Sequence, residues 1–362
     1  MTVQKLASLR LTTAGFMGLF LHGIIVAAPG AFLPQWTATF GETVNIGLFY
    51  TAFLPSSLVG LVLASRRVER HPWFALAFVT VTVAFALICL SPTFTWIGLA
   101  ALLIGFGDGI LNLQCNSLVG ELHPQRRIVL LNWANATFGV GALSAPLMGT
   151  FLPWRLAFGL VTILALGSVA LAWRAPHVLN YQPQRDRMPW KQATPFLVVI
   201  FLYVGLESAI GTWSGAYLRS LGESVVWSGT LLSLYWGGLT VGRLTLSIWV
   251  NPQPIRRLQW LLLAGLAVVS LTSVFPLGIL FAVAAFLYGP TFATVFALVQ
   301  HKCGHVAIGY LFYAAYLGKT SVPALLGQIG NPAYFPYGFI TLALLLYGMS
   351  RKISVPSLTY SD

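Results

Sequence analysis

Asp108, Asn112 and Asn116 recur at four-residue intervals within one apolar run. On a helix that spacing puts a carboxylate and two amides on a single stripe. A carboxylate there can carry a proton or a cation, and amides can bind the hydroxyls of a solute. In so apolar a run each is costly unless it faces protein or water, so each is a candidate functional residue. The other reading of the stripe is hydrogen bonding between neighbouring helices. A second acid, Glu207, follows Tyr203 by one turn and precedes Gly211 and Trp213. A carboxyl withdrawn from water can bind and release a proton near neutral pH. Its alternative is an ion pair with Lys319 or Arg243. Lys319 lies deep in an apolar run and calls for a carboxylate partner. Arg243 shares a helical face with Trp236 and Thr240, and Tyr316 lies one turn before Lys319. His22 reads as a neutral, satisfied buried histidine. Asn132 and Asn135 flank Trp133 and divide evenly between solute contact and helix capping.

These groups sit in a chain that is 57% hydrophobic and 8% charged, with a mean hydropathy of +0.81. A soluble domain is roughly a quarter charged, which excludes a soluble enzyme, a disordered chain and a disulfide scaffold. Twelve apolar runs are long enough to cross a bilayer as helices: 11–33, 44–65, 73–91, 94–118, 129–151, 153–174, 195–219, 225–250, 256–275, 277–300, 304–328 and 331–350. They lack the short alternating pattern of barrel strands. The expected fold is therefore all-α and polytopic. Of the 20 Lys and Arg, Arg155 and Arg219 fall on one side and Arg243 and Lys319 within runs; the remainder, including Lys5, Arg66, Arg67, Arg126, Arg127, Arg185 and Arg187, fall on the other. That asymmetry predicts cytoplasmic termini. It makes the net charge of +12 a topology signal, with no nucleic acid partner. Cys89, Cys115 and Cys303 offer no disulfide, and no spacing suggests a metal or cofactor.

The longest link, 175–193, holds Pro176, Pro183 and Pro189 and separates six runs from six. The expected units are a first bundle over 1–174, this basic linker, and a second bundle over 194–362. Shifting the first half by about 177 residues pairs Gly30 with Glu207, Trp36 with Trp213, Phe40 with Tyr217 and Gly60 with Gly237. It also pairs Arg66 with Arg243, Gly141 with Gly318 and Pro146 with Pro323. Parallel six-helix repeats with a midplane site between them are a transporter architecture. Arg66 and Arg243, as repeat mates, are candidate gating residues.

The motifs resemble the major facilitator superfamily, and within it the fucose-permease-type branch of fucose, galactose and glucose:proton symporters. Phe32-Leu-Pro-Gln-Trp36 resembles the Pro-Gln-aromatic end of that branch's first helix. Gly105 to Asn116 is similar to its glycine-rich fourth helix, Gly205-Leu-Glu-Ser208 through Trp213 to its seventh, and Gly289-Pro-Thr-Phe-Ala-Thr294 to its tenth. The branch's coupling acids fall on Asn112 and near Gly30, and Ala64 stands where the loop motif after the second helix has Asp. Coupling is expected to have moved to Asp108 and Glu207. The resemblance implies a monomeric carrier in a bacterial-type inner membrane, with protons, less favourably sodium, driving a small polar, sugar-like solute. Gln35, Asn112, Asn116, Trp213, Trp236, Tyr316 and Lys319 would contact that solute. A second expectation is a proton-coupled exporter of amphipathic drugs or lipids, because Gly141 to Gly149 resembles a degraded antiporter motif. A third is a non-transporting assembly factor or sensor.

Overall fold

A computed structural model describes residues 3–66, 69–123, 127–176, 188–250, 253–275, 277–304 and 306–353, without the side chains of 3–5, 127–129, 131–132, 300–301 and 306. Arg67, Arg126, Pro183, Arg185 and Arg187 lie outside the described residues, as do the side chains of Lys5, Arg127 and Asn132.

The described chain is helical throughout its regular structure. In the first half, α1 is Val3–Phe40, α2 Ile46–Arg66, α3 Trp73–Leu90, α4 Phe94–Leu122, α5 Arg127–Phe151 and α6 Trp154–Ala172. In the second, α7 is Trp190–Ser220, α8 Val225–Val250, α9 Pro254–Leu271, α10 Ile279–Tyr288, α11 Thr291–Cys303, α12 Val306–Leu326 and α13 Phe335–Ser350. Helices satisfy every backbone group within one segment, as a bilayer demands. Nine stretches among the described residues are long and apolar enough to cross one. α5, α8 and α12 are not among the nine. These three carry the main contacts between halves, α5 against α8 and α12 against α2.

Several boundaries differ from the sequence expectation, α1 among them, running Val3–Phe40 against 11–33. The crossing expected at 277–300 is divided at Gly289-Pro290 into α10 and α11, because a proline supplies no N–H to the preceding turn. α7 starts at Trp190, inside the stretch expected to be linker.

The halves repeat one packing plan. α1 lies on α5 as α7 lies on α12, α2 on α4 as α8 on α10, and α3 on α6 as α9 on α13. The repeat mates Gly141 and Gly318 show why the alignment holds. A Cβ on Gly141 would meet the Phe20 carbonyl oxygen at 2.0 Å, and one on Gly318 would meet that of Phe201 at 2.2 Å. Each glycine lets two backbones touch, the membrane form of close helix packing. This is a polytopic protein of two six-crossing bundles. The end where α1 begins and α13 finishes is called the terminal end below, and the opposite one the far end.

Candidate coupling and solute site

Asp108 is fully buried midway along α4. Its carboxylate is met from three sides. His22 on α1 places Nδ1 2.5 Å from Oδ1. Lys319 on α12 donates to Oδ2 at 3.1 Å, and the Tyr316 hydroxyl donates to the same oxygen at 3.1 Å. Two of these donors come from the opposite half, so Asp108 joins the bundles. The Lys319 ammonium also lies 4.7 Å from the Phe53 ring centre and 5.1 Å from that of Tyr316, faces that attract a cation. A buried charge is tolerable when paired and hydrogen-bonded, and this one is both.

A second pair occupies the other half. Arg243 on α8 donates through Nη2 to both Glu207 oxygens, at 3.2 and 3.1 Å, and approaches the Tyr203 hydroxyl at 3.5 Å. The Tyr235 hydroxyl donates to the Glu207 carbonyl at 2.8 Å. Glu207 therefore holds Arg243, and Lys319 holds Asp108; of the two partners open to Glu207 from sequence, the nearer in chain takes it. Phe138 on α5 stands between the pairs, its ring 5.2 Å from that of His22 and 5.0 Å from the Arg243 guanidinium.

Beside Lys319 a cavity of about 10 Å³ is lined by Ile25, Pro29, Tyr50, Phe53 and Ser208 among others. That is room for about one water. The Tyr50 hydroxyl and Thr212 Oγ1 lie 2.6 Å apart across the two halves. At the far end a vestibule of about 850 Å³ opens between the halves, with Thr37, Glu42, Asn45, Trp213, Arg219 and Gln328 in its wall. Small-ligand sites typically measure about 300–1,000 Å³, so the vestibule can admit a solute that the cavity cannot.

The other sequence candidates are spread along this axis. Asn112 lies 3.5 Å from the Tyr316 hydroxyl, and Asn116 donates to the Asn112 carbonyl at 2.8 Å. Both are half-buried on the stripe below Asp108. Trp236 is fully buried, and its indole N–H has no partner among the described residues. Trp213 donates to the Pro323 carbonyl at 2.9 Å while one side of it borders the vestibule. Gln35 is placed elsewhere: its amide donates to the Gly149 and Leu152 carbonyls and accepts from the Trp154 backbone N–H, at 2.7 to 2.8 Å. It clips α1 to the α5–α6 turn, which occupies its hydrogen-bonding groups. Arg66 is exposed at the end of α2 while its repeat mate Arg243 is inside the bundle; the alignment does not give them one environment.

Two partnerships escape the sequence reading. His22 is a ligand of Asp108, which nothing in its local sequence signals. Arg70, just past α2, is 1% exposed and donates to Glu121 at 2.8 and 3.1 Å, to Gln114 at 2.8 Å and to Ser117 at 2.5 Å. The i, i+4 spacing of Ser117 and Glu121 on α4 was the available clue to that terminal-end cluster.

Residues 15–323 match the family model of the Major Facilitator Superfamily. The chain belongs to that superfamily. It is thus of a class of membrane transporters, not of enzymes. It is 25% identical to the glucose/mannose transporter GlcP of Bacillus subtilis (strain 168), over 94% of this chain and 93% of that one. It is 24% identical to the cyanate transport protein CynX of Escherichia coli (strain K12), over 68% of each. Among solved structures, a D-xylose–proton symporter superposes with a TM-score of 0.74 at 15% identity, covering 96% of this chain and 98% of that one. These likenesses agree with the two-bundle fold and with the resemblance to sugar symporters.

Proposed function

We propose that this superfamily transporter is a secondary carrier that moves a small, sugar-like polar solute by alternating access, driven by protons. The observation that carries the reading is Asp108, a buried carboxylate of the first bundle held by Lys319 and Tyr316 of the second. Any change that weakens that contact loosens one half from the other, which is what a coupling device must do. GlcP is a glucose/mannose transporter over nearly its whole length, which favours a sugar. Protons are favoured over sodium by the resemblance to the fucose-permease-type proton symporters.

The solute enters from the vestibule and settles near Asn112, Asn116, Tyr316 and Lys319 once the Tyr50–Thr212 contact opens. The unpartnered indole N–H of Trp236 supplies a donor for a hydroxyl, since a buried donor left without an acceptor is costly. The termini are read as cytoplasmic, the membrane as a bacterial-type inner membrane and the working unit as a monomer.

Purified protein in liposomes tests this. Labelled D-glucose or D-mannose should accumulate when the lumen is alkaline and negative, collapse with a protonophore, and be indifferent to replacing sodium with potassium. Accumulation that requires sodium, or failure of every gradient to move either sugar, would overturn the reading.

A further inference from the structure

A proton on Asp108 itself would disturb three contacts at once. Oδ1 faces His22, and Oδ2 takes both Lys319 and Tyr316. An ionised carboxylate accepts only, so Nδ1 of His22 must be the donor in that pair, which leaves Nε2 as the ring's basic nitrogen. Nε2 takes no partner among the described residues, and 11% of the side chain stays accessible. His22 is met by Asp108 from α4, by Lys319 and Tyr316 from α12 through that carboxylate, and by Phe138 from α5. Behind Phe138 stands Arg243 of α8, itself bound to Glu207 of α7. The five ionisable side chains therefore form one set, neutral overall when His22 is neutral and carrying one positive charge when it is not.

We infer that His22 Nε2 is the proton carrier of this transporter, and that Phe138 is the positioning residue through which its charge reaches the Arg243–Glu207 pair. This rests on the proton-coupled reading above. An N–H bond forms at Nε2 with a proton from water on one side of the membrane and breaks to water on the other. The Nδ1–H stays with Asp108, which remains ionised throughout. A second positive charge beside Phe138 competes with Arg243 for the same ring, so protonation in the first half alters the ion pair in the second.

The first test needs no solute. The full-length protein is labelled with ¹⁵N-histidine in nanodiscs, and the His22 ring signal is assigned by its loss in His22→Gln. Its Nε2 shift should change from alkaline to acidic pH as one proton binds. Phe138→Leu should move the midpoint to lower pH by about half a unit, the size of a lost cation–π contact, while Phe138→Trp should restore or raise it. A packing role for Phe138 would leave the midpoint unmoved. An Nε2 signal constant over the whole range, or a midpoint indifferent to Phe138→Leu, overturns the inference even if the protein accumulates sugar. In liposomes, His22→Gln should exchange glucose by counterflow yet fail to concentrate it, and uphill accumulation by this variant would equally overturn it. Failure of wild-type protein to move protons with sugar while His22 titrates as described would instead sink the proton-coupled reading, and with it the carrier role, leaving only the link between His22 and Phe138.

Discussion

Lys319 Nζ lies 3.1 Å from Asp108 Oδ2, and the two residues come from α12 and α4, in different bundles. A charged contact between the halves thus runs through the middle of the membrane-spanning helices. Removing one member of a buried ion pair costs about 3–5 kcal/mol, because the other is left charged and alone.

Asp108→Asn and Lys319→Gln should each lower the thermal melting temperature of purified protein, and the double variant should melt above either single one. Melting curves of the four proteins decide it. A double variant that melts below both singles would show that the two side chains do not act as a pair.

Gradient-driven uptake should fall to background in Asp108→Asn and by about 10–100-fold in Glu207→Gln. The second loss is the scale of about 1.4–2.8 kcal/mol from one charge-assisted contact. Counterflow exchange should persist in at least one of them. Full active uptake in both would remove these carboxylates from the coupling mechanism.

Gln35→Ala should behave differently from the solute-site variants. With three hydrogen bonds to the α5–α6 turn gone, a loss of about 1–3 kcal/mol is expected. KM for the transported sugar should stay near the wild-type value. A large rise in KM with unchanged melting temperature would return Gln35 to the binding site.

Glu121→Gln should destabilise the terminal end, because buried Arg70 would lose the Glu121 charge and one of its two hydrogen bonds to that side chain, the amide nitrogen being a donor. Arg70→Gln with Glu121→Gln should recover part of the loss. Limited proteolysis and melting temperature read both.

Orientation is open to chemical labelling. In a cysteine-free background, Thr37→Cys at the vestibule wall should react with a membrane-impermeant maleimide on intact cells, while Arg66→Cys should react only after permeabilisation. The reverse pattern would invert the proposed topology.

Much of this molecule can be read from the chain because lipid tolerates few polar groups. Asp108, Glu207 and Lys319 stand out as costly residues in apolar runs, and their cost already demands partners. The identity of those partners is a matter of helix rotation and neighbourhood. Glu207 takes Arg243, leaving Lys319 for Asp108: α12 packs on α7 yet also meets α2 of the other bundle, and Lys319 reaches across to the α4 carboxylate. His22 is missed for the opposite reason: one imidazole in a long apolar helix looks the same whether it is satisfied by a backbone carbonyl or bound to a carboxylate. Gln35 has the chemistry of a solute ligand but meets the α5–α6 turn, more than a hundred residues away in sequence. Arg70 falls outside the repeat alignment, which points to its exposed neighbour Arg66.

The repeat carries a last consequence. At the offset that pairs Gly141 with Gly318, the position matching Asp108 is Ala285 and the position matching Lys319 is Ala142. Acid and base thus fall on opposite copies of the repeated unit. Two copies of the first bundle fused together would set Asp108 against no lysine, and two copies of the second would strand Lys319 in the same way. The two halves are a lock and its key, and neither can stand in for the other.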